Sequence, residues 1–404
     1  MSIAASRVRP SSAAPTMTLA RLFGSGVAYL PRRSPNLHGW SPRAPGFVDF
    51  QTGHQLAVAG PIHYVACAGV ATPEILACLA EVGLPIEADL QLYRGADDYL
   101  TLIGRLGARG LRLAAQRVHP SAEIPDSMAY VPLALQQDLN DKGRMADIVP
   151  AEWLPVRRLV DVSALPASAV VVRDGRPVVL KAATRLPNGG GHAVWICRTP
   201  ADVDRARAAL ATERQVVVED FLEIERTVCV HAVVGRDGAA GIVGVAEEVC
   251  EGERYLGNWL DAAADEVPAE VFSAVTRIVE RAAASGYRGI VGVDVAFVAG
   301  GAPRVLDLNF RVNGSTASTW LRARLGADLR SACMRLRGWT ADDTANMLRI
   351  ARAAVRRGVL IPLGAYDPAA CDMGGVPRLH GLVVGPSREA VGEEERRLAA
   401  EGLR

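Results

Sequence analysis

The chain has 404 residues, half of them hydrophobic, enough for two or three packed subdomains without disulfide or metal staples. Its 45 basic and 44 acidic side chains leave a formal charge of +1, so it carries no overall electrostatic footprint for nucleic acid or an anionic membrane. No run approaches about 18 consecutive apolar residues, and the seven cysteines are scattered without a C-x-x-C pair. A membrane span, a zinc ribbon and a disulfide scaffold are disfavoured, and a reducing cytoplasm is the expected setting.

Residues 1–48 hold no Asp or Glu but six arginines, six prolines and seven serines, and read as a disordered or leader-like segment; Met17 as the true start fits equally well. Over 49–135 short apolar runs alternate with helical patterns: HYVACA, TPEILACLAEVG, DLQLYR, ADDYLTLIGRLGARG and RLAAQ. That alternation predicts a small parallel α/β domain. Asn140 or Asp141 can then cap a short helix that opens with Lys142. Over 136–250 the strand signals become antiparallel, with Asp174-Gly175 and Asp237-Gly238 turns between β-branched runs. Between them lie a glycine-rich loop, a helix over 202–211 and the strand QVVVEDFLE. Residues 251–337 give a helix over 265–287, a hairpin built from VGVDVAFV and RVLDLNFRVNGS, and a helical stretch to about Arg337. Residues 338–404 add a helix, a hairpin and a closing helix, read as a separate C-terminal α/β extension.

The composition singles out two residues. Of the 45 basic side chains only Lys142 and Lys181 are lysine. A GC-rich genome accounts for the sweep toward arginine but not for the two survivors, which mark places where a compact ammonium on a flexible stem is needed. Lys181 ends a strand that leads into Asn188, Gly189, Gly190, Gly191 and His192, where successive glycines can turn backbone N–H groups onto an anion. The lysine precedes the glycines, so this is no Walker A loop, and G-x-G-x-x-G is absent.

In the hairpin Asp307, Asn309, Arg311 and Asn313 alternate with Leu306, Leu308, Phe310 and Val312, so one face is polar and the other apolar. A turn over 299–302 sets Asp294 opposite Asp307. Two facing carboxylates repel and call for a cation, and with Asn309 they offer the hard oxygen ligands magnesium prefers. Each piece also has a plain structural reading, as a solvated hairpin face, a flexible connection or a strand end. His192 reads as a polar loop residue and His231 as a structural histidine on a strand. H-E-x-x-H and G-x-S-x-G are both missing.

In order, the first lysine, the second lysine with its glycine loop, E-x-F-L at Glu219 to Leu222 (with Asp220 between), and Asp294 followed by Asp307, Asn309 and Arg311 resemble the ATP-grasp carboxylate–amine ligases over roughly residues 60–335. The resemblance implies an α/β fold in which 49–135 is a pre-ATP-grasp domain, 136–250 the lid subdomain with its linker and 251–337 the metal-binding subdomain. It implies that Lys142 and Lys181 contact ATP phosphates and that Gly189–Gly191 form a lid. Glu219 and Leu222 fall at the adenine hinge, and Glu225 at the ribose acid. Asp294, Asp307 and Asn309 match the Mg2+ ligands and Arg311 the arginine that steadies the reacting carboxylate. Asp307 stands where glutamate is usual, and Gly292 replaces an arginine of the D-alanine ligases. RYLGNW (254–259) and LNFRVNGST look most like the pheganomycin-type peptide ligases of natural-product biosynthesis. Arg254 and Tyr255, in a polar and aromatic stretch after the strand of Val249, are candidate substrate contacts, with Asn313. The implied reaction joins a carboxylate to an amine through an acyl phosphate. A nucleotide-binding sensor without catalysis, or a ligase with a thiol or hydroxyl acceptor, stays open, as does a homo-oligomeric state.

Overall fold

The computed structural model describes residues 17–40, 44–84, 86–165, 176–252, 254–325, 329 and 331–404. Strands β1 (Val27–Leu30), β2 (His63–Cys67), β3 (Asp89–Tyr93) and β4 (Arg112–Ala115) form an all-parallel sheet in the order β3-β2-β1-β4. Helices Pro73–Ala80 and Ala96–Ala108 make the crossovers. Thr72 starts the first by accepting the Ile75 N–H at 3.3 Å, with Pro73 in the first turn where its missing N–H costs nothing. The second buries Tyr99, Leu102, Ile103 and Leu106, one stripe at helical spacing.

The expected leader boundary at residue 48 is corrected here. β1 lies between β2 and β4 in the middle of the sheet, and Val27, Ala28, Tyr29 and Leu30 are all buried. The composition of 1–48 conceals it, because a four-residue apolar run in a segment of Ser, Pro and Arg gains its stability only from neighbours on both sides. Trp40 is also drawn in, stacking edge-on against Trp195 at 5.2 Å.

A second, antiparallel sheet has the order β5-β8-β6-β7, with β5 (Arg157–Asp161), β6 (Val178–Ala183), β7 (Val194–Cys197) and β8 (Gln215–Asp220). Helix Pro200–Ala209, opened by a capping box of Thr199 and Asp202, covers one face, where Val203, Ala206 and Leu210 pack with Leu180, Ala182, Val216 and Val218. The opposite face carries Arg157, Lys181 and Glu219. The expected Asp174-Gly175 turn falls in 166–175, outside the described residues.

The third sheet has eight strands: β9 (Ile224–Val234), β10 (Ala240–Glu251), β11 (Arg254–Leu260), β12 (Gly289–Val298), β13 (Arg304–Asn309), β14 (Cys333–Thr340), β15 (Leu360–Tyr366) and β16 (Arg378–Gly385). Their order is β13-β12-β9-β10-β11-β14-β16-β15. Gly238, at φ +85°, makes the expected turn between β9 and β10. Helix Ala269–Ala284 packs Val271, Val275, Ile278 and Val279 on a face made by Val228, Val230, Val291 and Val293. By the two-residue period of a strand, Cys229, His231 and Asp294 look the other way.

Two expectations about the C-terminal part are corrected. Helix Thr316–Arg324 is followed, short of the expected Arg337, by the strand Cys333–Thr340, with neighbours β11 and β16 on its two edges. Residues beyond 337 are not a separate layer, since β16 and β15 continue the same sheet and all seven residues of β15 are buried. This region also meets the parallel domain: the Asp367 N–H donates to Gly69 O at 2.8 Å, and Arg352 pairs with Glu81 at 2.8 Å.

Candidate active site

The site lies where the Lys181 and Glu219 face of the β5-β8-β6-β7 sheet meets the His231 and Asp294 face of the eight-stranded sheet. Asp294 on β12 pairs with Asp307 on β13 and with Cys229 on β9. Nearer the turn the register is offset by one residue, with Val295 opposite Val305, so Leu306 is an extra residue that brings the two carboxylates level. Lys181 Nζ, reaching over from β6, donates to that bulged residue's carbonyl at 2.9 Å.

The charges are arranged in pairs. Lys142 opens a short 3-10 helix, Lys142–Asp147, whose start is held by Asp141 accepting the Gly143 N–H at 2.8 Å, and its ammonium pairs with Asp307 Oδ1. Lys181 Nζ pairs with Glu219 Oε2 at 2.6 Å, and Arg157 approaches the other oxygen of Glu219 at 3.6 Å. Both lysines and Glu219 are buried. Arg311 donates to Asn140 Oδ1 at 2.6 Å and to Asn188 O at 3.3 Å, while the Phe310 N–H donates to the same Asn140 oxygen at 3.1 Å. Asn140, at the end of helix Leu133–Asn140, therefore orients both the backbone and the side chain of the arginine segment.

The two facing acids differ in state. Burial and the neighbouring Asp307 push Asp294 up to about 6. Burial also works to raise Asp307, but the Lys142 ammonium, with Arg311 and Lys181, holds it below its ordinary value. Asn309 Nδ2 donates to Asp294 Oδ2 at 3.0 Å, and Asp294 Oδ1 is buried without a partner among the described residues. Two level carboxylates, one orphaned oxygen and an adjacent carboxamide fit a hard divalent cation. A third acid, Glu248 on β10, faces the same space: burial and then Asp294 and Asp307 push its carboxyl well above the usual range.

The structure thus brings together Lys142, Lys181, Glu219, Asp294, Asp307, Asn309 and Arg311. Gly189, Gly190 and Gly191 follow Asn188 with φ of +157°, +66° and +82°, a region that only glycine enters freely. Leu222 is half-buried just after β8, and Glu225 is exposed near the start of β9. Arg254 is exposed, whereas Tyr255 is partly buried with its hydroxyl on Asn258 Oδ1. Asn313 is committed to its own turn, with Nδ2 on Cys229 Sγ at 3.1 Å and Oδ1 accepting from the Ser315 N–H and the Thr316 hydroxyl. His192 is exposed. His231 is fully buried against Ser315 Oγ at 2.9 Å, and burial lowers its pKa to about 3. Sequence reasoning missed Arg157, Glu248 and the positioning role of Asn140. An arginine among so many carries no compositional mark, and Glu248 stands out only when β10 lies beside β9.

Residues 155–309 match the family described as "L-aspartate–L-methionine ligase, ATP grasp", and residues 18–137 match that enzyme's N-terminal domain. Together the matches span more than half of the chain: the second covers the parallel sheet, and the first covers β5 to β13. The chain is an ATP-grasp carboxylate–amine ligase. The ATP-grasp fold recurs in N5-carboxyaminoimidazole synthetase from Staphylococcus aureus complexed with ADP, at 12% identity and TM-score 0.58 over 87% of this chain and 95% of that one. It recurs in N5-carboxyaminoimidazole ribonucleotide synthetase from Thermus thermophilus, at 18% identity and TM-score 0.55 over 93% and 98%. An L-amino acid ligase from Bacillus licheniformis aligns at 12% identity and TM-score 0.53 over 94% and 98%.

An ATP-grasp ligase of this class lets a carboxylate oxygen attack the γ-phosphorus of ATP, breaking the bond to ADP and forming an acyl phosphate. The amine nitrogen then attacks the carbonyl carbon, phosphate leaves, and an amide remains. Both steps build negative charge on oxygen, and catalysis is mainly positioning and electrostatics. The two lysines of this ligase are paired with its own Asp307 and Glu219, so both cations are buried and held in place.

Proposed function

We propose that this ligase forms a peptide bond between two L-amino acids, activating the carboxyl group of an acidic one, aspartate, for attack by the amine of an apolar one, methionine. The family description supports these substrates. The observation that carries the chemistry is the level pair Asp294 and Asp307, flanked by Lys142 and Lys181 at the lid. On this reading the lysines bind the ATP phosphates, Gly189–Gly191 close over them to keep water from the acyl phosphate, and Arg311 steadies the reacting carboxylate. Asp294, Asp307 and Asn309 hold Mg2+. When bound, the ion neutralises phosphate charge. Lys181 keeps Glu219 turned inward, leaving the backbone after β8, through Leu222, for the adenine edge, and Glu225 for the ribose. Tyr255 and Arg254 line the approach of the second substrate. We place the reaction in the biosynthesis of small peptide natural products in the cytoplasm, a compartment that suits seven free cysteines.

The test is nucleotide consumption by the purified protein with magnesium and ATP against a panel of amino acids and short peptides, with ADP resolved from AMP. The expected result is substrate-dependent ADP and phosphate together with a new amide mass, greatest for aspartate with methionine. AMP and pyrophosphate would instead mean an acyl adenylate and end this reading.

A further inference from the structure

The glycine loop is approached by cations from two domains. Arg311 NH2 donates to Asn188 O at 3.3 Å, and Arg117 NH1 donates to the same oxygen. Arg117 comes from the parallel domain, just past the end of β4, and Arg33 follows the end of β1. These strands are neighbours, with Leu30 opposite Ala115. The carboxyl ends of adjacent parallel strands are where open α/β sheets receive ligands.

The local charge is not balanced. Among the described residues neither Arg117 nor Arg311 forms an ion pair with a carboxylate, and Arg311 Nε is buried with no acceptor at all. The strongest charge interactions of Arg311 are with Asp307 and Asp294, whereas those of Arg117 are with the cations Arg311 and Arg33 and with Tyr29. Burial, then Arg311 and Arg33, push Arg117 well below its ordinary pKa. A guanidinium has five donors, and the shared Asn188 carbonyl, with Asn140 Oδ1 serving Arg311 alone, does not compensate the buried Arg311 and the partly buried Arg117. Gly189 fits this approach, because a Cβ there would lie 2.9 Å from Arg117 NH2.

We propose that Arg117 binds a substrate carboxylate that takes no part in the reaction, next to the reacting carboxylate on Arg311, and so makes the ligase select an amino acid with that second negative group. The inference rests on the amino-acid ligase reading above. Two sources supply such a group: the side chain of a dicarboxylic donor, or the α-carboxylate of the amino acid that brings the amine. Both present a planar pair of oxygens to a planar fork of donors.

The experiment compares wild type, Arg117→Met and Arg117→Lys in ADP formation with aspartate and methionine, asparagine and methionine, and aspartate and methioninamide. Arg117→Met is expected to lower kcat/KM for the first pair by at least about tenfold, the worth of one charge-assisted contact, and Arg117→Lys by less, with KM for ATP unchanged. The loss should vanish for the one analogue that lacks the bound group, which names its source. An equal loss with all three pairs would reduce Arg117 to a fastening for the glycine loop and overturn the proposal, as would no loss. Calorimetry of aspartate and of methionine binding to the ADP-loaded protein reads the same contact without turnover. If wild type forms no ADP from any pair, the reaction reading fails, while equal affinities of wild type and Arg117→Met for both ligands still overturn the Arg117 proposal on their own.

Discussion

At the scale of single residues, the site is a set of buried charges held in place by one another. Lys181 is fixed by Glu219 and by the Leu306 carbonyl, and Lys142 by Asp307. Removing one partner from such a pair leaves the other uncompensated, which is costly where replacing both is not. Lys181→Met and Asp307→Ala are each expected to reduce ADP formation at least about 100-fold, the scale of losing one preorganised electrostatic group, with the far-UV circular dichroism retained. Wild-type turnover in either variant would remove the crevice as the seat of catalysis. Lys181→Met should also unfold at lower urea, by roughly 3 kcal/mol, and Glu219→Gln in the same chain should restore part of that loss.

At the scale of elements, small irregularities in regular strands do the positioning. The β13 bulge levels Asp307 with Asp294 and turns the Leu306 carbonyl toward Lys181. A comparable constraint sits in β11, where Gly257 has φ +131° and a Cβ would come within 1.9 Å of Leu336 O on β14. This is the seam at which the C-terminal strands join the sheet. Gly257→Ala must both strain the backbone and part the strands, and should cost about 3 kcal/mol in urea unfolding. An unchanged midpoint would show that the seam does not need the close approach.

At the scale of the whole molecule, the parallel domain and the C-terminal strands are one packed unit. His54 and His380 stack face to face with ring centroids 3.9 Å apart across this junction. Burial lowers both below 6.5, His380 to about 4. The unfolded chain therefore takes up protons at these positions first as the pH falls. Their contribution to stability is complete above about pH 6.5 and is lost as the pH drops toward about 4. His380→Phe should flatten the fall of the melting temperature over that interval; an unaltered slope would put the acid sensitivity elsewhere. The same unity governs truncation. A chain begun at Asp49 lacks β1, so β2 and β4 lose their shared neighbour, and its melting transition should disappear.

The amino-acid sequence by itself determined the local pieces: the strand alternation that sets Asp307, Asn309 and Arg311 on one face, the turn at Asp237-Gly238, and the two lysines that composition isolates. These depend on period and on rarity, which are properties of the chain alone. Tertiary structure decided what had no such mark. Val27–Leu30 became a central strand because β2 and β4 pair with it, and Cys333–Thr340 became a strand because β11 and β16 do. Arg117, Arg157 and Glu248 joined the site for the same kind of reason. Each is a common residue with no distinctive spacing, and its charge acquires a role only when residues distant in the chain close around it and exclude water.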